Sequence, residues 1–367
     1  MPRYIHQLKQ WPEFEWKSEI VVPLISALRH KQGRLGGAMD FIGFASAEEP
    51  LLQTLTLDVL KSSEIEGEML HPEQVRSSIA RKLGLDIAGL VPSDLFVDGV
   101  VEMMLDATQN FNKPLTKTRL YSWHAALFPK GRSGMQKITV GKWRDSKGGP
   151  MQVVSGVMGK ERVHFEAPES ERLDDEMKVF LKWFNSKNVS DPVLKAAIAH
   201  LWFITIHPFD DGNGRMARAI ADMQLAKSDG DSQRFYSMSA QIRIERNAYY
   251  HILEKTQHGK LEITQWLQWF MKCLDSALNA TDITLRRILS KGKFWDKHQK
   301  SNLNQRQRLM INKLFDGFDG NLNTTKWGEI AKCSHDTALR DINDLLEKKI
   351  LSKGEGGGRS TSYILNY

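Results

Sequence analysis

Cysteine is almost missing from this chain: Cys273 and Cys333 stand far apart in 367 residues. That scarcity argues against a disulfide framework or a cysteine-built zinc site, and it fits a reducing cytoplasm. No run approaches the roughly 18 uninterrupted apolar residues of a membrane span, so no membrane partner is expected. The opening MPRYIHQLKQWPEFEW has no apolar signal core, which points away from secretion and towards a cytoplasmic protein. Internal repeats, heptads and low-complexity tracts are absent as well. Acidic residues are in modest deficit, leaving a net charge of +7. Much of the excess lies in residues 291–367, which hold 14 Lys/Arg and 9 Asp/Glu. That asymmetry hints at nucleic acid, although a solvated surface explains it almost as well.

What is present is concentrated in His207-Pro208-Phe209-Asp210-Asp211-Gly212-Asn213-Gly214-Arg215-Met216-Ala217-Arg218. An imidazole, a carboxylate, a glycine-flanked turn and two arginines meet in one short segment. Glycines let backbone approach phosphate oxygens, and amides at a helix N-terminus bind anions. Arg215 and Arg218, spaced i,i+3, share one side of a helix and can clamp phosphates. Asp211 can hold Mg²⁺, and His207 can act as a general base near neutral pH. The plainer alternative is a tight turn between core helices with a solvated charge cluster. His207 and Asp211 at i,i+4 do not suggest zinc, because Pro208 and Gly212 oppose a regular helix and no third ligand is apparent.

Along the chain, Trp11, Phe14 and Trp16 open a helical region, with a helix expected from about Glu19 to His30 and broken by Gly33, Gly36 and Gly37. A second helix, about Pro50 to Ile65, carries Leu52, Leu55 and Val59 on one face. Continuing that rhythm reaches Ser62 and Glu66, just before Gly67. An inward carboxylate needs a partner; alternatively the helix simply ends there and leaves Glu66 wet. His71-Pro72, Leu83-Gly84 and Pro92-Ser93-Asp94 punctuate further helices, and Leu115 to Phe128 reads as another, with His124 as a packed core histidine. From Gly131 to Pro168 the runs Ile138–Val140, Met151–Val154 and Arg162–Phe165 are β-prone, with Lys147-Gly148-Gly149-Pro150 as the turn between the first two. This predicts a β-hairpin able to pair with an extended peptide, or else a stabilising arm. Asp191-Pro192 starts an all-round apolar helix from Val193 to Ile206 that delivers His207. The next helix runs from about Asn213 to Lys227. Tyr249 and Tyr250, after Asn247, can flank a flat ligand or merely pack. Trp266, Leu267, Trp269 and Phe270 mark further core within 261–289.

A polar linker is expected over 291–304, then a separate domain over 305–367. Three helices and a strand pair around the glycine-rich Gly354–Ser362 loop form a winged helix-turn-helix order. Thr337 and Arg340 on the third helix can face a major groove, and Arg359 can reach a phosphate. Docking of a protein instead of DNA is the alternative for this domain.

The 207–218 stretch resembles, in full, the Fic family motif H-x-F-x-D/E-G-N-G-R-x-x-R. The resemblance runs from about Leu115 to Leu289, and the N-terminal part resembles the domain that precedes Fic in many bacterial members. Ser62-Ser63-Glu64-Ile65-Glu66-Gly67 is similar to the family's inhibitory pattern S/T-x-x-x-E-G. The implied fold is mainly α: an N-terminal helical domain (1–110) with an inhibitory helix at about 50–68, and a Fic-type helical core with a β-hairpin flap (111–290). The implied activity is AMP transfer from ATP, with Mg²⁺ on Asp211, to a Ser, Thr or Tyr hydroxyl of a target protein or of the chain itself. By resemblance His207 takes the hydroxyl proton, while Asn213 and the Gly212 and Gly214 amides cradle phosphates. Arg215 and Arg218 hold the β- and γ-phosphates. The flap, Val140-Gly141-Lys142-Trp143-Arg144 with Met151-Gln152-Val153-Val154, registers the target. Asn247 and Tyr250 lie near the adenosine. Ser62, Glu66 and Gly67 form the inhibitory element, Glu66 pairing with Arg218. Gly214 stands where a phosphate-transferring branch of the family carries lysine, which disfavours that chemistry. De-AMPylation by the same pocket, and a DNA-binding regulator with a nucleotide-sensing core, are the remaining readings. The sequence names neither target nor assembly state; a homodimer stays open.

Overall fold

The computed structural model describes residues 3–42, 44–85, 89–156, 160, 162–187, 191–230, 234–318, 320–354 and 361–366. They form two compact units, Met1–Ala280 and Thr281–Tyr367. The chain is mainly helical, and no helix among the described residues is long and apolar enough to cross a membrane.

In the first unit α1 (Ser18–Ile42) continues through Gly33, Gly36 and Gly37, where a break was expected. Leu28, Gln32, Leu35 and Met39 are buried at helical spacing along it. That face outweighs the roughly 1 kcal/mol each interior glycine costs a helix. Next come α2 (Phe44–Ile65), α3 (Pro72–Leu83), α4 (Leu95–Gln109) and α5 (Lys117–Leu127). The strands β1 (Arg132–Ser133) and β2 (Gln136–Lys137) make a minimal hairpin, and β3 (Gln152–Ser155) pairs antiparallel with β4 (Arg162–Glu166). The larger hairpin thus joins the second and third β-prone runs rather than the first and second. Residues 138–145 form no strand, and Ser146–Gly148 is a 3-10 turn. The choice of partner comes from far away in sequence. Tyr4, Phe165 and Ala167 are buried together with Met151 and Val153 against them, so the N-terminal segment seats this pair.

The helices α6 (Leu173–Asn185), α7 (Pro192–Ile206) and α8 (Asn213–Asp229) complete the core. Asp191 caps α7 by accepting from the Val193 and Leu194 amides, with Pro192 in the first turn. Every residue from Val193 to Ile206 is buried, and α7 packs along α8. Trp11 and Phe14 pack edge-on against Trp202 of α7, as core rather than as a site. The last elements here are α9 (Met238–Ile244), α10 (Arg246–Gln257) and the start of α11 (Thr264–Lys297).

A buried polar cluster fastens α2 beside α8. Arg234 Nη1 lies 2.7 Å from Asp222 Oδ1, and its Nη2 lies 3.4 Å from Asp58 Oδ2. Asp58 also accepts from Ser237 Oγ at 2.5 Å and from the Ser239 amide at 3.2 Å. Burial pushes the Asp222 carboxyl up to about 7 even with Arg234 beside it. Removing one partner from such a cluster leaves charge buried and uncompensated. Arg234→Ala is therefore expected to cost about 3–5 kcal/mol in urea unfolding. Because the raised Asp222 can take up a proton in the folded state, the loss should be larger at pH 8 than at pH 6. A loss below about 1 kcal/mol at both pH values would mean the cluster contributes little.

In the second unit Phe294 of α11 and Leu303 are buried with Met310, Ile311, Trp327, Ile342 and Leu345. No polar linker spans 291–304, because helix α11 runs to Lys297 and these two apolar residues join the domain core. The helices α12 (Gln305–Gly317), α13 (Thr324–Ala331) and α14 (His335–Glu347) precede the antiparallel pair β5 (Leu351–Lys353) and β6 (Tyr363–Leu365). On α14 Arg340 is exposed, while Thr337 is half-buried and bonded to Ser334. Arg359 lies outside the described residues.

Candidate active site

The site begins where α7 stops. His207 caps that helix in the left-handed conformation, φ 51 and ψ 59, and Pro208 prevents its continuation. Its Nδ1 lies 3.2 Å from the Ile204 carbonyl oxygen. A carbonyl only accepts, so Nδ1 carries the hydrogen and Nε2 keeps its lone pair. Burial pushes the imidazole down to about 4, and the nearby Arg144 charge acts in the same direction.

The turn after it is held from both sides. Asn213 Oδ1 accepts from the Phe209 amide at 3.0 Å and Nδ2 donates to the Phe209 carbonyl at 2.8 Å. The Asn213 amide, expected to cradle phosphates, thus staples the turn. Asp211 Oδ1 accepts from the Gly212 amide at 2.5 Å, and Oδ2 accepts from the Ser133 hydroxyl. Gly212 has φ +79, and a Cβ there would meet Phe128 Cε2 at 3.0 Å, so glycine is required on two counts. Among the described residues no three His, Cys, Asp or Glu side chains are grouped to hold a metal. A single carboxylate together with phosphate oxygens is a donor set that suits Mg²⁺, and Asp211 is the carboxylate of this turn that would fit such a role.

The two arginines are almost fully buried, yet each reaches a carboxylate from the end of α2. That end is a Schellman cap: the Gly67 amide donates to Glu64 O, the Glu68 amide donates to Ser63 O, and Gly67 has φ +85. The cap places acids on both sides of Gly67. Glu66 Oε1 lies 2.8 Å from Arg218 Nη2, and Glu68 Oε2 lies 2.5 Å from Arg215 Nη1. Arg218 also donates to the Ser62 hydroxyl at 2.9 Å and to its carbonyl at 2.8 Å. Arg215 lies between the Phe96 and Phe128 rings, 5.7 and 5.3 Å from their centroids. A Cβ at Gly214 would fall 2.1 Å from Glu66 Oε1, so glycine there is what admits the carboxylate. The two sequence readings of Glu66 merge: the helix does end at Ile65, and the side chain does find a cation. Glu68 escaped the sequence reading although it was visible as a second acid across the capping glycine. The Phe96 and Phe128 contacts had no local signal.

Around this centre Asn247 is exposed and lines an open pocket of ≈ 640 Å³ with Glu64, Gly67, Met69 and residues 243–248. Tyr250 is half-buried, its hydroxyl 3.5 Å from the Ile65 carbonyl and its ring under Arg246. Tyr249 is core: it is 2% exposed, with its hydroxyl 3.0 Å from His200 Nε2. In the flap, Gln152 and Val154 point outward while Met151 and Val153 pack inward. Val140, Gly141, Lys142 and Trp143 run as an irregular segment, with Trp143 Nε1 donating to Asp174 at 3.1 Å and its ring near Phe209. The Gly141 amide donates to Nδ1 of buried His124, whose ring stacks on Phe209. Arg144, expected among the residues facing a target, is instead 5% exposed and turned inward.

Comparison with known proteins gives two family models. Residues 4–85 match one described as a domain of unknown function (DUF4172), and residues 114–225 match the Fic/DOC family. A "Protein adenylyltransferase Fic" of Nematostella vectensis is 30% identical over 115 residues, covering 31% of this chain and 25% of that one. The Drosophila yakuba protein of the same name is 32% identical over 105 residues, covering 28% and 20%. The chain thus spans a quarter or less of the length of these relatives. A Fic family protein from Desulfovibrio desulfuricans G20 shares the fold with TM-score 0.51 at 21% identity, over 94% of this chain and 96% of that one. A Fic domain containing signaling protein from Bacteroides thetaiotaomicron VPI-5482 does so with TM-score 0.50 at 20% identity, over 72% and 97%. With the motif on the α7–α8 turn, the family match over 114–225 and the shared helical fold, this chain carries a Fic/DOC family domain.

Proposed function

We propose that the protein is an adenylyltransferase that moves AMP from ATP to a hydroxyl side chain of a protein, and that the end of α2 restrains it. The observation that carries this reading is the pairing of two buried motif arginines with two carboxylates of one capped turn, beside a neutral imidazole whose Nε2 is free to accept. The names of the relatives, each a "Protein adenylyltransferase Fic", support it.

In the proposed reaction Arg215 and Arg218 leave their carboxylates and hold the terminal phosphates of ATP. The target hydroxyl approaches along the outward face of β3, which among the described residues pairs only with β4 and so can take an extended segment on its other edge. As its oxygen bonds to the α-phosphorus, the α–β bridging P–O bond breaks and pyrophosphate departs. The hydroxyl proton passes to His207 Nε2. Asp211 would hold Mg²⁺, which supplies neutralisation of phosphate charge when bound. Asn213 and the Gly212 and Gly214 backbone keep the turn shaped for close phosphate approach, and the pocket lined by Asn247 takes the nucleoside end. Glu66 restrains Arg218 and Glu68 restrains Arg215, so both phosphate-binding cations are withheld together.

Label position tests the chemistry. ATP labelled at the α-phosphate should mark protein, and ATP labelled at the γ-phosphate should lose its label as pyrophosphate. Protein that retains γ-label and not α-label would mean phosphoryl transfer, and the proposal would be wrong.

A further inference from the structure

Arg144, turned inward from the flap, touches the backbone that carries His207. It is 5% exposed. Its Nε donates to the His207 carbonyl at 2.8 Å, its Nη2 to the Pro168 carbonyl at 2.5 Å, and its backbone amide to the Pro208 carbonyl at 2.9 Å. One residue thus holds consecutive peptide units of the catalytic turn and the segment that follows β4. Its charge sits at the C-terminal end of α7, where the helix dipole favours a cation. His207 needs such a hold, because a non-glycine residue at φ 51 occupies a sparsely populated conformation that persists only when its surroundings fix it.

We propose that Arg144 is a positioning residue for His207: it locks the left-handed end of α7 and sets the imidazole in register with the strand pair that presents the target. The inference rests on the transfer reading above. The guanidinium also faces the imidazole electrically, together with Asp211 on the turn and Glu66 at the end of α2. Arg144 disfavours the imidazolium and the two acids favour it.

The test uses the full-length chain carrying Glu66→Gly as parent, and α-labelled ATP. Arg144→Gln removes the charge and the fork, whereas Arg144→Lys keeps the charge and loses the fork. Both should lower kcat, by about 100-fold for Gln, as expected for a misplaced catalytic group. ATP affinity measured by direct titration should stay within about twofold, since the phosphate arginines are untouched. The acid limb of the pH–rate profile should rise by about one pH unit in Arg144→Gln and stay in place in Arg144→Lys. A kcat within about threefold of the parent in both variants, whatever their melting temperatures, would overturn the proposal by making Arg144 merely structural. So would an acid limb that ignores removal of the charge. If Arg144→Gln does not fold, kcat of Arg144→Lys decides by the same threefold criterion. A parent with no His207-dependent transfer removes the transfer reading and this inference with it; transfer indifferent to Arg144 removes the inference alone.

Discussion

His207→Ala should abolish labelling from α-labelled ATP, lowering transfer by about 10²–10⁴-fold, the range for loss of a positioned general base. ATP should still bind, because Arg215, Arg218 and the Asn213-stapled turn are unaffected by trimming a half-buried side chain at the helix cap. The pH dependence adds a second, independent reading. Burial depresses the His207 imidazole to about 4, so it is neutral and able to accept a proton from about pH 5 upward. The acid limb of kcat/KM, which reports the free enzyme, should therefore lie below pH 5 in the Glu66→Gly protein. Bound ATP brings negative charge and should move the corresponding limb of kcat upward. Transfer that persists in His207→Ala would remove the imidazole from the reaction, and a kcat/KM limb centred near 6.5 would contradict its burial.

Freeing the arginines should act in the opposite direction. Glu66→Gly is expected to raise self-labelling by about 10- to 100-fold, the equivalent of one charge-assisted hydrogen bond lost from the restrained state. Folding should survive, since Arg218 keeps its bonds to the Ser62 hydroxyl and carbonyl and Gly67 still closes the cap. Glu68→Gln should add a further rise, smaller in kind because glutamine can still accept from Arg215 while its charge is gone. The clearest readout is nucleotide preference. If the carboxylates compete with phosphates, the variants should gain affinity for ATP far more than for AMP. Labelling that is equal in wild type, Glu66→Gly and Glu66→Gly/Glu68→Gln would show that this turn restrains nothing.

Local chemistry made much of this legible beforehand. Asp191-Pro192, Pro208 and Gly212 announce where α7 begins, where it ends and where α8 begins, because caps, proline and left-handed glycine act within a few residues. The stripe Leu52, Leu55, Val59 and Ser62 is buried as its spacing implies. What failed was decided at a distance. The glycines of α1 give way to a packed face, and strand pairing follows Tyr4 and Phe165, more than a hundred residues apart. Arg144 stands in the run expected to register a target, and only the fold turns it under His207. Asn213 belongs to the motif by its spacing, but the two bonds by which its side chain staples the turn to Phe209 have no signal in the sequence.

The cap at the end of α2 has a consequence for how the site opens. Glu66 and Glu68 hang from one six-residue turn, so together they are a tethered, two-armed ligand for Arg218 and Arg215. Each arm is presented at an effective concentration set by the turn, of roughly millimolar or higher, and detachment of one leaves the other to recapture it. A nucleotide does not meet two independent ion pairs that loosen in turn. It meets a single intramolecular competitor whose arms come away together when the turn swings off. Effects of weakening either arm should therefore be non-additive, and the protein should pass between closed and open sites in one step.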